Sequence, residues 1–331
     1  MRVNWTITYA LLLAGVTSCA TSETIQAPPS NVVVQPNFVS HGNQFAKDGM
    51  LREAVEAYTK AIGREPQNLT AFRNLGIVLL KSGDAPSAII NIEKSLKEYE
   101  DNFDANFYLG EAYRAEEKNA EAIFRYKKAL KISPNDLRAL KSLAWSYFKI
   151  RFYSEALSTA NAVLTVARDD DQAPVIIART QLKLKRPTEA LATLTRVLKG
   201  VDKLSEPYIQ SVVGEVLMSQ GKSAEALETF QRAIKAQPML ASALFGAGQI
   251  LLANGLQKEA TEYLERAVRL RPKMYDAQYW LARSIETSDP KQAIRYFASF
   301  RKNSLNDPDF IDLVFDARHR SAALTAKAKQ E

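Results

Sequence analysis

The sequence predicts an all-α protein, a solenoid of about eight helix pairs. The first observation is a series of alanines at a fixed interval of 34 residues, listed as Ala54, Ala88, Ala122, Ala156 and Ala190. The second is composition, since only 13 Gly and 13 Pro occur in 331 residues and helix-favouring side chains are plentiful. A unit of this length stacks on its neighbours, so the length of the chain reports the number of repeats.

The repeat continues through the C-terminal half of the chain. Ala226, Ala260 and Ala293 extend the series at intervals of 36, 34 and 33 residues. Three further positions keep the same phase. A glycine lies twelve residues before several of the alanines: Gly42, Gly76, Gly110, Gly214 and Gly248. A large residue follows four positions after: Tyr58, Ile92, Tyr126, Leu194, Phe230, Leu264 and Phe297. Proline follows twelve positions after in four repeats: Pro66, Pro134, Pro238 and Pro272.

Each of these positions has a steric reason. Small residues allow two antiparallel helices to approach closely, and the large residue one turn beyond the alanine fills the space between them. Proline ends the second helix because it lacks an N–H and disfavours helical geometry in the preceding residue. A second set of glycines lies where the first helix must turn, as expected for left-handed residues: Gly49, Gly83, Gly221 and Gly255.

Small, small, large and proline positions in this order, at a spacing of 34, resemble the tetratricopeptide repeat (TPR). The resemblance covers about residues 35 to 303 and implies a right-handed superhelix whose first helices line the concave side. The predicted repeats are 35–68, 69–102, 103–136, 137–170, 171–204, 207–240, 241–274 and 275–303. Repeats 4 and 5 depart most, since Ala160 replaces the aromatic residue in repeat 4 and neither ends in proline.

Residues 304–331 are predicted to form a capping helix and a tail. An array leaves its last apolar face uncovered, and a closing helix is expected there. Phe310, Ile311, Val314 and Phe315 recur at helical spacing in this segment.

Residues 1–18 have the parts of a secretory signal. A basic start is followed by an apolar run of about twelve residues from Trp5 to Val16, too short to span a bilayer as a helix. The segment Val16-Thr17-Ser18-Cys19 resembles a bacterial lipobox, although Val16 replaces the commoner Leu. The resemblance implies a signal peptide cleaved before Cys19, lipidation of Cys19 and, in a Gram-negative host, an outer-membrane lipoprotein facing the periplasm. Residues 19–34, with Pro28-Pro29, are predicted to be a flexible spacer. The alternative is that Cys19 is an ordinary residue of a soluble intracellular adaptor.

Residue types give no indication of catalysis or of a bound metal or cofactor. Of the two histidines, His41 is predicted to pack partly buried and His319 to lie on a solvated basic face. Asp169, Asp170 and Asp171 lack a calcium-loop pattern and are interpreted as solvated loop acids. A net charge of +7 is mild for this length, and no nucleic-acid reader module occurs. We therefore predict a protein that is not an enzyme, with neither nucleic acid nor a small-molecule substrate as partner.

A partner protein is expected to bind the concave face. The side chains predicted to face inward and bind are Arg73, Lys81, Phe107, Arg114, Arg138, Lys141, Trp145, Phe148, Lys149, Arg179 and Lys183, with Ile77, Glu111, Leu182, Tyr208, Phe245, Tyr279 and Arg283 beside them. Aromatic and Arg side chains are frequent hot spots of interfaces, so one hypothesis is a groove for a segment carrying acidic groups or a C-terminal carboxylate. The competing hypothesis is that Trp145 packs between neighbouring repeats and the bases are solvated.

A lipobox, a spacer and a TPR array along most of the chain also resemble the lipoproteins of pilus and secretion machines, notably the tight-adherence (Flp-type) pilus assembly TPR lipoproteins. TPR lipoproteins of outer-membrane protein assembly and of peptidoglycan synthesis share these features. The resemblance implies a membrane-anchored scaffold for protein–protein interaction, with the choice among these machines left open.

Overall fold

The computed structural model describes residues 37–97, 100–200 and 206–327. Within these ranges the regular structure consists of 17 α-helices and one short 3-10 helix, with no strand. The first sixteen α-helices form eight consecutive antiparallel pairs, and each pair packs on the next. The predicted all-α solenoid is thereby confirmed.

The first helices of the eight pairs are α1 Phe38–Lys47, α3 Leu69–Lys81, α5 Phe103–Ala115, α7 Leu137–Lys149, α9 Ala173–Lys183, α11 Glu206–Ser219, α13 Ala241–Ala253 and α15 Tyr275–Ile285. The second helices are α2 Leu51–Arg64, α4 Ala85–Ser95, α6 Asn119–Ile132, α8 Tyr153–Val166, α10 Pro187–Leu198, α12 Ser223–Ala236, α14 Gln257–Leu270 and α16 Pro290–Ser304. A 3-10 helix, Pro308–Phe310, and the last helix, α17 Ile311–Lys327, follow. In the described ranges no helix is both long and apolar enough to cross a membrane.

The glycine opposite each large residue explains the sequence spacing. A Cβ atom placed on Gly110 would lie 2.6 Å from Tyr126, and one on Gly214 would lie 2.5 Å from Phe230. Both distances are shorter than a carbon–carbon contact allows, so a side chain at either glycine would push the two helices apart. Repeat 4 keeps the close approach with two small residues, Ala144 and Ala160, which are both fully buried in one cluster.

One hydrogen-bonded turn joins the two helices of a pair throughout most of the array. After α3 the N–H of Asp84 donates to the carbonyl of Leu79 at 2.9 Å. After α7 the N–H of Phe152 donates to the backbone carbonyl of Tyr147 at 2.9 Å. This six-residue pattern requires a left-handed residue just before the donor. Glycine fills that position in four repeats, with φ of +77° at Gly49, +88° at Gly83, +75° at Gly221 and +78° at Gly255.

Side-chain caps begin several of the first helices at equivalent positions. The side chains of Asn68, Asn102 and Asp136 each accept the N–H of the residue three positions on. Asp170 is the next member of this series, since its Oδ1 accepts the N–H of Ala173 at 2.8 Å. Its side chain is only 7% exposed. The interpretation of Asp170 as a solvated loop acid is therefore wrong, because its carboxylate accepts backbone N–H groups just before and at the start of α9 and pairs with Lys141.

The capping helix α17 packs on α16 with a face that only partly matches the predicted one. Val314, Ala317 and Ser321 are buried, whereas Ile311 is 51% and Phe315 56% exposed. Val314, Ala317 and Ser321 form one stripe along the helix, and positions 311 and 315 lie about a quarter turn to one side of it, so the stripe that faces the array includes Val314 but neither Ile311 nor Phe315.

The predicted signal peptide (1–18), Cys19 and the spacer (19–34) lie outside the described residues. His41 lies inside them and is exposed, 6.4 Å from Phe38 in an edge-on ring contact. The prediction of a partly buried histidine is therefore wrong, since the described helices that contact α1 are α2 and α3, and they leave this side chain exposed.

Candidate functional site

The concave side of repeats 3 to 8 contains three adjoining cavities, which together we name the groove. Their volumes are about 590, 530 and 800 Å³. Trp145 lines the first and second, Arg179 the second and third, and Arg271 the first and third. The shared walls make the cavities one surface, and side chains of α7, α9, α11, α13 and α15 contribute to it.

Trp145 and Phe148 form an aromatic pair on the wall of the groove. Their ring centroids are 5.2 Å apart, and Tyr153 lies 6.2 Å beyond Phe148. Trp145 is partly buried, and it packs against a cluster containing Ile176 and Ile177 of the next repeat. Its indole thus packs between repeats 4 and 5, as one hypothesis expects of Trp145. It also lines two of the cavities, as expected of a residue of a binding groove.

Arg179 connects three repeats at the centre of the groove. Its guanidinium carbon lies 5.9 Å from the Trp145 ring and 5.6 Å from the Tyr208 ring. Its Nη2 is 2.8 Å from Oε1 of Glu215, and its Nη1 donates to the Tyr208 hydroxyl at 3.2 Å. Burial disfavours the charged guanidinium, but Glu215 and Tyr208 outweigh that effect and raise the pKa of Arg179 above its ordinary value.

Four further predicted binding bases are ion-paired within the chain. The nitrogen–oxygen distances are 2.5 Å for Arg114 with Glu111, 3.0 Å for Arg138 with Asp136, 2.9 Å for Lys141 with Asp170 and 2.5 Å for Lys183 with Asp309. This differs from both hypotheses, in which these bases face either a partner or the solvent. The cause is that carboxylates of the same helix, of neighbouring turns or of the C-terminal segment reach the concave side.

The carboxylate of Glu111 is the centre of the most extensive of these networks. It accepts hydrogen bonds from Arg114, from the Tyr126 hydroxyl at 2.6 Å and from the Ser142 hydroxyl at 2.7 Å. Burial opposes its charge, yet these three donors hold the pKa of Glu111 below its ordinary value. Glu111 therefore serves the packing of repeats 3 and 4.

Phe107 and Tyr279 are core residues, so their prediction as inward-facing side chains of the binding face is wrong. Phe107 is 6% exposed, stacks on Phe103 at 6.0 Å and is covered by the Arg138 guanidinium at 4.9 Å. Tyr279 is 1% exposed, and its hydroxyl donates to Asp316 of the capping helix at 2.6 Å. At these positions the side chain packs against the following element.

The remaining predicted residues divide between the groove and repeats outside it. Lys149 and Phe245 line the largest cavity, and Leu182 lines the one beside Phe148. Arg73, whose Nε donates to Asn74 at 3.2 Å, and Lys81 lie in repeat 2, away from the three cavities. Arg283 lies 5.7 Å from the Trp280 ring, beside the cap.

The largest cavity also has an acidic wall that the sequence did not suggest. Asp276, near the start of α15, lines it together with Glu215. Burial raises the pKa of Asp276 above its ordinary value; the N–H of Ala277 and the charge of Lys149 oppose the rise, while the charge of Glu215 adds to it. The surroundings of Asp276 thus disfavour the charged form of its carboxylate.

Three turn residues at the edge of the groove were also missed. Glu117, Arg151 and Lys185 occupy the left-handed turn position of repeats 3, 4 and 5, with φ of +61°, +66° and +61°. Glu117 lines the largest cavity, and the other two line the cavity beside Phe148. The signal that could have revealed them is the absence of glycine at a position that is glycine in repeats 1, 2, 6 and 7.

Comparison with known protein families identifies the type of repeat. The tetratricopeptide repeat model matches residues 40–93, 79–136 and 214–274. A model described as the anaphase-promoting complex, cyclosome, subunit 3 matches residues 115–197. The chain therefore contains tetratricopeptide repeats, as their spacing indicated.

Solved structures with the same architecture include other TPR proteins. A tetratricopeptide repeat protein from Parabacteroides merdae matches with a TM-score of 0.69 and 18% identity, over 75% of this chain and 97% of that one. Yeast Tom70 matches with a TM-score of 0.64 and 16% identity, over 85% of this chain and 60% of that one. The APC/C hetero-tetramer Cut9-Hcn1 matches with a TM-score of 0.57 and 16% identity, over 85% and 55%. At such identities the similarity establishes the fold, that of a TPR solenoid.

Proposed function

We propose that this protein is a membrane-anchored scaffold of the bacterial envelope whose groove binds a segment of a partner protein. The observation that carries the proposal is the aromatic pair of Trp145 and Phe148 on the wall of connected cavities. Apolar cavities with a few polar groups are the usual form of a binding site, and aromatic side chains dominate the energetics of many interfaces.

The charges around the groove favour a partner segment that carries a carboxylate beside an apolar side chain. The largest cavity is lined by Lys149, Arg271 and Lys273, and all three side chains are exposed. Asp276 and Glu215 on the same wall would repel a carboxylate close to them. The carboxylate is therefore expected at the edge carrying the bases, with the apolar side chain against Trp145.

The sequence of the N-terminus supports the location. The lipobox-like Val16-Thr17-Ser18-Cys19 favours two or three acyl chains on Cys19, and two chains suffice for stable anchoring. Ala20 after the cysteine is typical of lipoproteins sorted to the outer membrane. A lipid anchor, a spacer and a TPR array together favour a role in assembling a pilus or secretion machine, similar to that of the tight-adherence pilus assembly lipoproteins.

Intact-mass measurement of the protein extracted from membranes tests the anchor. We expect loss of residues 1–18 and added acyl mass on Cys19. A mature protein that begins at an unmodified Met1 would contradict the location and leave a soluble TPR adaptor.

Quantitative affinity purification tests the groove. We expect a partner protein to co-purify with the unsubstituted chain and to be lost from the Trp145→Ala variant. Phe124→Ala is the matched control, because Phe124 is 55% exposed on the second helix α6, outside the groove. Equal retention by all three chains would contradict binding at Trp145.

A further inference from the structure

A short acidic segment from the C-terminal end of the chain reaches the edge of the groove. We name residues 306–310 the acidic turn, which contains Asp307, Pro308 and Asp309. Nη2 of Arg151 is 2.9 Å from Oδ1 of Asp307 and 2.9 Å from Oδ1 of Asp309. Nζ of Lys183 is 2.5 Å from Oδ2 of Asp309. These ion pairs join residues 156 and 126 positions apart in the sequence.

The acidic turn holds its two carboxylates in fixed positions. Oδ1 of Asp307 accepts the N–H of Asp309 at 3.0 Å, and the N–H of Phe310 donates to the carbonyl of Asp307 at 3.0 Å. The Phe310 ring packs edge-on against Phe300, with centroids 5.9 Å apart. The turn is therefore anchored on one side to α16 and presents Asp307 and Asp309 on the other.

The acidic turn also borders the groove itself. Asp309 lines the same cavity as Trp145 and Phe148, while Asp307 and Phe310 line the largest cavity. Anything that enters the groove from this edge must pass the turn.

The backbone at Arg151 gives an independent indication that its side chain has a role. Its φ of +66° lies in the left-handed region, where the equivalent residues of four other repeats are glycine. A non-glycine residue in this conformation is strained, and such strain is concentrated at functional sites. Retaining an arginine there places a guanidinium where it contacts both carboxylates of the acidic turn.

The ion pairs are exposed enough to be exchanged. The side chains of Arg151, Asp307, Lys183 and Asp309 are 38%, 45%, 41% and 35% exposed. Exposed pairs are weak and screened by salt, so a competing carboxylate can replace them at little cost. A permanent brace between the middle of the array and its C-terminal end would instead bury apolar surface.

We propose that the acidic turn is an internal ligand that occupies Arg151 and Lys183 and restricts the groove, and that an acidic segment of a partner displaces it. The proposal rests on the proposed function, since it assumes that the groove binds a partner segment. It identifies that segment by chemistry: two carboxylates two residues apart, followed by an aromatic side chain, as in the chain's own Asp307-Pro308-Asp309-Phe310.

A synthetic peptide with the chain's own sequence SLNDPDFID (residues 304–312) is the probe, and its affinity for the full-length chain is measured by fluorescence anisotropy. Asp307→Asn with Asp309→Asn removes the carboxylates that occupy Arg151 and Lys183, so we expect the peptide to bind this variant about tenfold more tightly than the unsubstituted chain. Glu262→Gln with Glu265→Gln, on the exposed face of α14, changes the net charge equally and should leave the affinity unchanged.

Two further measurements make the result specific. Adding Arg151→Gly to the Asn variant should abolish binding of the peptide, and this substitution removes the strained backbone, so loss of the fold is not expected. A peptide in which Asn replaces both Asp residues should not bind. Equal affinity of the unsubstituted chain and the Asn variant, or no binding to either, would overturn the proposal. Because the peptide needs no partner protein, it can fail while Trp145-dependent capture of a partner succeeds, and the two failures are distinguishable.

Discussion

Left-handed residues in the turns between paired helices show how individual residues balance stability against a role at the groove. Glycine adopts this conformation without strain, whereas a residue with a Cβ atom is disfavoured there by about 1–2 kcal/mol. Repeats 3 to 5 nevertheless carry Glu117, Arg151 and Lys185 in it, and all three line the groove. Repeats 1, 2, 6 and 7 carry glycine.

Replacing a strained residue with glycine should therefore stabilise the array. We expect Glu117→Gly and Lys185→Gly each to increase the free energy of unfolding by about 0.5–1 kcal/mol, because relief of strain exceeds the added entropy of the unfolded chain. Gly83→Ala, at φ +88°, is the converse control and should destabilise the fold. Urea unfolding monitored by circular dichroism provides the measurement, and a loss of stability in both glycine variants would contradict the argument.

Asp276 should make stability depend on pH in an unusual direction for a carboxylate. Its pKa is raised in the folded chain, mainly by burial, so the fold binds its proton more tightly than the unfolded chain does. The stabilisation that results is complete below the ordinary value of 3.8 and is lost as the pH rises through the raised pKa.

Asp276→Asn should consequently have a higher urea midpoint than the unsubstituted chain at pH 7. The difference should shrink as the pH is lowered and vanish below pH 3.8, where both side chains are neutral. Unfolding of both proteins across this range measures it. A variant that is less stable at pH 7 would show that the carboxylate is stabilised by its surroundings.

In each helix pair, packing between the two helices restricts which residues can occupy the facing positions, more than helix propensity does. A small residue on the first helix and a large residue on the second set the distance between them, and the repeat period keeps these positions opposed. Second-helix aromatics also carry hydrogen bonds, as Tyr126 does to Glu111. One pair therefore contributes both core and groove structure.

Gly110→Ala tests this packing directly. The added Cβ would lie 2.6 Å from Tyr126, so we expect a loss of about 1–3 kcal/mol in the free energy of unfolding from overpacking. Gly63→Ala is the matched control, since Gly63 lies in α2 with no atom within 4 Å of an added Cβ. That variant should gain about 0.5–1 kcal/mol from helix propensity. Equal changes in the two variants, measured by urea unfolding, would be inconsistent with a steric limit at Gly110.

For the whole molecule, the order of elements was predictable from the sequence because it follows from local sterics. Glycine, alanine and proline at fixed intervals specify helix, turn and close approach without reference to distant residues, and the eight pairs and the capping helix follow. The face that α17 buries was not predictable in this way. Its buried positions include only small and β-branched residues, Val314, Ala317 and Ser321, whereas the larger Ile311 and Phe315 remain exposed.

Long-range ion pairs explain why the candidate site was only partly predictable. The spacing placed Trp145, Phe148, Lys149 and Arg179 on the concave side, and they line the groove. Two of the carboxylates that pair with the bases come from another repeat or from the C-terminal segment, namely Glu215 and Asp309. Such pairs depend on the path of the whole solenoid, which no local pattern contains.

Site-specific photo-crosslinking in cells that produce the full-length chain is the most direct test of the central claim that the groove binds a partner protein. A photoreactive amino acid replaces Phe148 in the full-length chain, or Phe124 on the second helix α6 as a control. The claim predicts a discrete crosslinked product from position 148 that Trp145→Ala eliminates and that position 124 does not give. No product at position 148, or the same product from both positions, would contradict it.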